Sequence, residues 1–304
     1  MCVVCRQKES PEVAGKLVGM PCWWLPSCGG FAHTLWDMEI RALLFDLDDT
    51  LIVDEAVSRL ALDEVAVLAA KHHGVDPKRF GRVAREEAIR VWKKSPVHSF
   101  CKNIGISAFE CLWGRFEGDT SELTALREWA HAYRRGVFEA ALREQLTDPS
   151  DGPEVLASAF ESTRRKLQRL MPDAMETLAV LKPSFRLGLL TNGAPDLQRE
   201  KLAASGLAPF FDAVAVSGEH GIGKPRAEIF HRLLAELDAR PGEAVMVGNS
   251  LERDIAGAAN AGIRSVWIRV PGSEEHAETQ PDHTITGLAE LPDLLRQIED
   301  LPGA

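Results

Sequence analysis

No apolar run in the 304 residues reaches the ~18 to 20 residues of a membrane span, so no spanning helix is expected. An excess of basic residues is missing too. Lys+Arg number 35 against 45 Asp+Glu, a formal net charge of -10, with the acidic residues spread along the chain. A nucleic-acid binder needs a basic face to release counterions from phosphates, and that class is set aside. A small phosphorylated substrate is not excluded, because a local cluster of donors overrides the global field. Repeats and low-complexity tracts are absent, and 45% hydrophobic with 26% charged residues rules out collagen-like and disordered classes.

Cysteine is sparse beyond the first 28 residues, which hold four of the six; the others are Cys101 and Cys111. Cys2, Cys5, Cys22 and Cys28 suggest a zinc knuckle, but five residues separate the second pair, wider than the usual spacing. Residues 1–37 form an irregular extension without helical or alternating periodicity. They also lack a basic-led apolar stretch ending in a small-residue cleavage site, so no secretory signal is expected. Met38 reads as the natural start, because it opens directly onto a strand. The cysteines are then expected to be reduced thiols in a cytoplasmic protein, monomeric or homodimeric.

From Met38 the chain has three parts: 38–54 and 171–304 as one core, and 55–170 as a helical insertion. The stretch RALLFDLDDTLI (41–52) opens the core with four apolar residues, the pattern of a buried strand. The insertion reads as helix after helix: EAVSRLALDEVAVLAAKHHG stopping at Gly74, then FGRVAREEAIRVWKK, SELTALREWAHAYRRGVFEAALREQL and GPEVLASAFESTRRKLQRL. Pro96 and the loop TDPSDGP break the run, and Pro153 falls in a first helical turn. After Pro172 short strands are expected at 185–191, 213–217, 244–248 and 265–270, with helical stretches between them. That alternation predicts an α/β fold, a Rossmann-like parallel sheet flanked by helices, carrying an all-helical cap.

Ligands of such sheets bind at the carboxyl ends of the strands. Here those ends carry Asp46, then Thr191-Asn192-Gly193, then Gly248-Asn249-Ser250, with Gly223-Lys224-Pro225 in the loop after the 213–217 strand. Asp46, Asp48 and Asp49 repel one another within four positions, which suits a site that holds a cation or acts on an anion through one. Standing alone, Asp-x-Asp would read as a turn or helix cap, TNG as a tight turn, and Lys224 as a solvated lysine.

Together, FDLDDTL (45–51), LLTNG (189–193), GKP (223–225) and VGNSLERD (247–254) resemble the haloacid dehalogenase-like (HAD) hydrolase superfamily, with the insertion as its C1-type cap. The run from LLTNG to VWI is most similar to the N-acylneuraminate-9-phosphatase-like branch. The resemblance implies Asp46 as nucleophile, forming an aspartyl-phosphate, and Asp48 as the acid and base that serves the leaving alcohol and then water. It implies Thr191, Asn192 and Lys224 around the phosphate, and magnesium (Mg2+) among Asp46, Asp48 through its carbonyl, Asn249 and Asp254. Asn249 departs from the aspartate of many relatives, leaving open whether it or Asp254 is the direct ligand. Asp49 is expected to serve in the turn, and Trp92, Trp113 and Trp129 to belong to the cap's core.

A phosphomonoester hydrolase of a small phosphorylated metabolite is the expected activity. A 2-haloacid dehalogenase, a phosphosugar mutase and a catalytically idle binding protein share the scaffold. Asp48 favours the phosphatase, because the dehalogenases lack this aspartate. Sugar phosphates, phosphoglycolate and nucleoside monophosphates all stay open as substrates, since the cap selects among them.

Overall fold

Six parallel strands make one sheet in the order β3-β2-β1-β4-β5-β6: β1 (Ala42–Phe45), β2 (Arg186–Thr191), β3 (Ala213–Val216), β4 (Ala244–Gly248), β5 (Arg264–Ile268) and β6 (His283–Ile285). The structure is a computed structural model that describes residues 39–146, 152–270 and 279–300. The extension at 1–37 and its four cysteines lie outside the described residues. Among the described residues no helix is long and apolar enough to cross a membrane.

The strands are apolar on both faces because helices cover both. Leu43 and Phe45 turn to one face, against Leu178 and Leu181 of α6 (Ala174–Leu181) and Leu291 of α11 (Leu291–Asp300). Ala42 and Leu44 turn to the other, against Phe230 and Leu233 of α9 (Ala227–Glu236) and Ala258 of α10 (Ala256–Ala261). Each fully buried leucine or phenylalanine contributes about 2 kcal/mol. The remaining core helices are α7 (Pro195–Ser205) and the short α8 (Ser217–His220). The four expected strands form within a residue or two of their predicted bounds. The edge strand β6 and helix α11 were not anticipated. Three residues opening on His283 and Thr284 carry no strand signature, and pairing with β5 makes them one.

Between β1 and β2 the chain runs through α1 (Glu55–His73), α2 (Pro77–Lys93), α3 (His98–Ile104), α4 (Ser121–Arg143) and α5 (Pro153–Lys166). Local chemistry sets several of their ends. Gly74 takes the left-handed conformation after α1, Asp76 and Thr120 accept from backbone N–H groups at the starts of α2 and α4, and Pro153 opens α5. Helices α1, α2, α4 and α5 enclose their own core, with Phe138 stacked on Phe80 and tilted against Phe160. The chain leaves the sheet region and returns to it side by side: Ile52 bridges Leu170, Val53 N–H donates to Arg169 O, and Met171 N–H to Leu51 O.

The end of α3 touches the sheet's carboxyl edge. Ser217 Oγ donates to Ile104 O at 2.5 Å and Asn103 Nδ2 to Gly221 O at 2.8 Å. Gly105, at φ +84, lies so close to Asn192 that a Cβ there would fall 2.6 Å from the asparagine's own.

Candidate active site

A cleft of about 710 Å³ opens between the helical insertion and the strand ends. The sheet side supplies Asp46, Asp48, Asn192, Lys224, Asn249 and Asp254 to its wall; the insertion supplies Trp92, Lys102, Phe109 and Glu110. Six of the seven expected site residues therefore line one cleft. Thr191 does not reach the wall. It is 1% exposed, and its Oγ1 accepts a 2.5 Å hydrogen bond from Gln198 Nε2 of α7.

Asp46 leaves β1 with its N–H on Val247 O, which aims the residue between β1 and β4. Its Oδ1 accepts from Lys224 Nζ at 2.5 Å, and its Oδ2 faces Thr50 Oγ1 at 3.2 Å. Lys224 Nζ also donates to Leu190 O at 2.7 Å and lies 2.8 Å from Asp254 Oδ1. Burial alone would lower the Lys224 ammonium, but Asp254 and Asp46 hold it above the ordinary lysine value. Burial raises Asp254 against the pull of Lys224. The other Asp254 oxygen accepts from Ser250 N–H at 2.9 Å, and Gly248 must be glycine here, because a Cβ would sit 2.3 Å from that oxygen.

Asn192 brackets the lysine loop: its Nδ2 donates to Lys224 O and its Oδ1 accepts from Lys224 N–H, at 3.0 and 2.9 Å. The N–H of Gly193 is taken by Ser217 Oγ. The side chain of Asn192 thus places Lys224. Asp49 has φ +56 and accepts from the N–H groups of Asp54 and Glu55, serving the turn into α1 as its position suggests.

Asp48 sits in a second cluster that sequence reasoning missed. Lys201 Nζ of α7 holds both its carboxylate oxygens at 2.9 and 3.0 Å, and Gln198 Nε2 donates to Oδ2 at 2.9 Å. The same ammonium lies 3.0 Å from Asp54 and 2.9 Å from Glu110 of the insertion. Arg164 of α5 joins through Asp54 at 2.5 Å and Ser58 Oγ at 2.9 Å, its guanidinium 4.7 Å from the centre of the Trp113 ring. Burial pushes the Asp48 carboxyl up to about 8 against the pull of Lys201, with Asp54, Glu110 and Asp46 adding to the rise. Those carboxylates also hold Lys201 above the ordinary lysine value despite its burial. The signal available in sequence was slight: Gln198 and Lys201, three apart in a predicted helix, share a face.

Trp113 is buried in the insertion's core and Trp129 stacks on Tyr133, whereas Trp92 borders the cleft, edge-on to His98. Arg82 and Arg90 pair with Glu86 and Glu87 on the outer face of α2.

Among the described residues no three His, Cys, Asp or Glu side chains gather closely enough to hold a metal ion by themselves. A site of mixed hard oxygens still fits. Thr50 Oγ1 lies 3.2 Å from both Asp46 Oδ2 and Asn249 Oδ1, and one hydroxyl hydrogen serves only one of them. The other oxygen keeps a lone pair for a cation.

A parallel sheet with an acidic cleft at its carboxyl ends, roofed by an inserted helical bundle, defines a capped α/β hydrolase. Residues 40–262 match the haloacid dehalogenase-like hydrolase family, and the chain belongs to it. It is 42% identical over 254 residues to the phosphoserine phosphatase of Thermus thermophilus, covering 83% of this chain and 98% of that one. It is 34% identical over 265 residues to the N-acylneuraminate-9-phosphatase of Homo sapiens, covering 86% and 95%. The branch suggested by sequence motifs is therefore among its relatives, alongside a phosphatase of higher identity. Its fold matches the magnesium-bound HAD hydrolase YfnB of Bacillus subtilis, with TM-score 0.56, 22% identity and coverage of 85% and 99%. It also matches the 2-haloacid dehalogenase of Pseudomonas syringae pv. Tomato, with TM-score 0.53, 26% identity and coverage of 85% and 99%. The protein is an enzyme of the hydrolase class, and the curated relatives named here are phosphatases.

Proposed function

We propose that this protein is a magnesium-dependent phosphomonoester hydrolase that acts on a small phosphorylated metabolite through an aspartyl-phosphate on Asp46. The observation that carries the reading is the pairing of two carboxylates on one cleft wall in different electrostatic settings. Asp46 is held against a lysine ammonium, and Asp48 keeps a raised pKa in its own buried cluster. That division suits a nucleophile and a general acid.

In this reading Asp46 attacks phosphorus while Asp48 gives a proton to the departing alcohol oxygen. Asp48 then takes a proton from the water that hydrolyses the acyl phosphate. Lys224 offsets the repulsion between the substrate dianion and Asp46, with Thr191 and Asn192 shaping the same corner. Magnesium would be held by Asp46, the Asp48 carbonyl and Asn249, with Asp254 behind Lys224. When bound it supplies positive charge to the phosphoryl oxygens. The residues 55–170 act as the cap, and the two described cysteines are free thiols, which suits a reducing cytoplasm.

The test is phosphate release from a panel that includes phosphoserine, N-acylneuraminate 9-phosphate, sugar phosphates, phosphoglycolate and nucleoside monophosphates. Release should stop with EDTA and return with magnesium. Asp46→Asn should lower it by at least about 1,000-fold in a folded protein. Chloride release from 2-chloropropionate that survives chelation would assign the dehalogenase instead.

A further inference from the structure

Lys201 has no route to a substrate. It is 0% exposed and absent from the cleft wall, yet it is the ammonium that Asp48 touches with both oxygens. Burying a lysine is costly unless good partners surround it, and one carboxylate would have sufficed for pairing. Lys201 instead gathers three, from three places: Asp48 on the loop after β1, Asp54 at the start of α1, and Glu110 in the insertion. Glu110 is itself anchored, its second oxygen accepting from Ser107 N–H at 2.8 Å. The lysine is therefore fixed from the cap side as well as from α7.

From this geometry we infer that Lys201 is a positioning residue for the general acid Asp48, and that Glu110 makes the aim of that acid depend on the seating of the helical insertion. The inference rests on the reading of Asp48 as the acid. In the step concerned, the bond between phosphorus and the alcohol oxygen breaks as the bond from Asp46 to phosphorus forms. The Asp48 proton passes to the departing oxygen, leaving Asp48 a carboxylate. Lys201 neither gives nor takes a proton. It holds the carboxyl plane still and already faces the charge that develops there. Gln198, on the same helix face, adds a single hydrogen bond to one of those oxygens.

A residue that aims an acid matters only where an acid is needed. The test compares kcat/KM for phenyl phosphate, whose phenolate leaves poorly without a proton, with that for 2,4-dinitrophenyl phosphate, which needs none. The magnesium-loaded full chain is used throughout. Lys201→Met should lose about 100-fold on phenyl phosphate and less than about tenfold on the dinitrophenyl ester, within the usual range of general acid catalysis. Glu110→Gln should show the same skew at about three- to tenfold, since it weakens only the outer anchor. Equal losses on both esters in Lys201→Met would show a purely structural lysine and overturn the inference. If that variant does not fold, Glu110→Gln decides: a skewed loss supports the inference and an even loss overturns it. Asp48→Asn runs alongside. A skew in Asp48→Asn but not in Lys201→Met sinks the inference alone, whereas no skew in Asp48→Asn sinks the acid reading and the inference together.

Discussion

Two buried lysines organise this molecule, and they differ in what they connect. Lys224 lies among groups that all belong to the sheet's carboxyl edge: Asp46 after β1, Leu190 in β2 and Asp254 beyond β4. It also borders the cleft. Lys201 lies behind the cleft and joins the sheet region to the insertion through Asp48, Asp54 and Glu110. The first cluster can be complete in the core alone. The second exists only when the insertion is in place, because one carboxylate and the Trp113 face above it come from there. In the proposed mechanism the first cluster holds the nucleophile and the second the general acid.

The strongest way to break this contrast is Lys224→Met. It leaves Asp46 and Asp254 facing each other without a cation, so turnover should fall by at least about 100-fold. Stability should drop by about 3 kcal/mol, the usual cost of stripping one partner from a buried pair. Denaturant titration and phosphate release check the two effects, and an unchanged transition midpoint would mean the two carboxylates tolerate the loss of the ammonium.

The pH dependence sharpens the contrast from the other side. Asp48, with its carboxyl pushed up to about 8, holds its proton at neutrality and gives it up as pH rises. The acid form is the useful one, so kcat/KM for phenyl phosphate should decline above about pH 8, while the dinitrophenyl ester should not show that decline. A parallel fall for both esters would place the titration elsewhere.

Smaller effects are expected at the metal side. Asn249→Asp adds a charge beside Asp46 and should tighten magnesium by about 1 kcal/mol, read from the magnesium dependence of activity. Asp254→Asn should act on turnover through Lys224 more than on magnesium half-saturation. The reverse ranking would make Asp254 the ligand. At the quiet end, Arg90→Ala removes the pair with Glu87 on α2, and thermal unfolding should register the smallest shift of the set.

How much of this was legible beforehand depended on the range of the interactions. The LLF run into Asp46, the strand-helix alternation after Pro172 and the helical periodicities of 55–170 are local patterns, and each is found where periodicity put it. The residues at the strand ends were legible because a parallel sheet has only one carboxyl edge. Their individual contacts were not. Thr191 looked like a phosphate hydroxyl, and the structure hands its oxygen to Gln198; Asn192 looked like part of a phosphate loop, and its amide clasps the backbone of Lys224. Trp92 carried the same helical spacing as Trp113, yet one borders the cleft and the other is buried.

Sequence alone determined the α/β class, the position of the helical insertion and the gathering of Asp46, Lys224 and Asn249 at one edge. All of these follow from hydrophobic period and chain direction, which are written residue by residue. Only the tertiary structure decided which charges are buried together. In α7 the neighbours Arg199, Glu200 and Lys201 are equivalent as letters, but Arg199 turns to Glu219, Glu200 to Arg165, and Lys201 to Asp48. A charge becomes a buried partner or a solvated one according to what another segment lays over it. For Lys201 that includes Glu110, 91 residues earlier in the chain, which no local pattern ties to it.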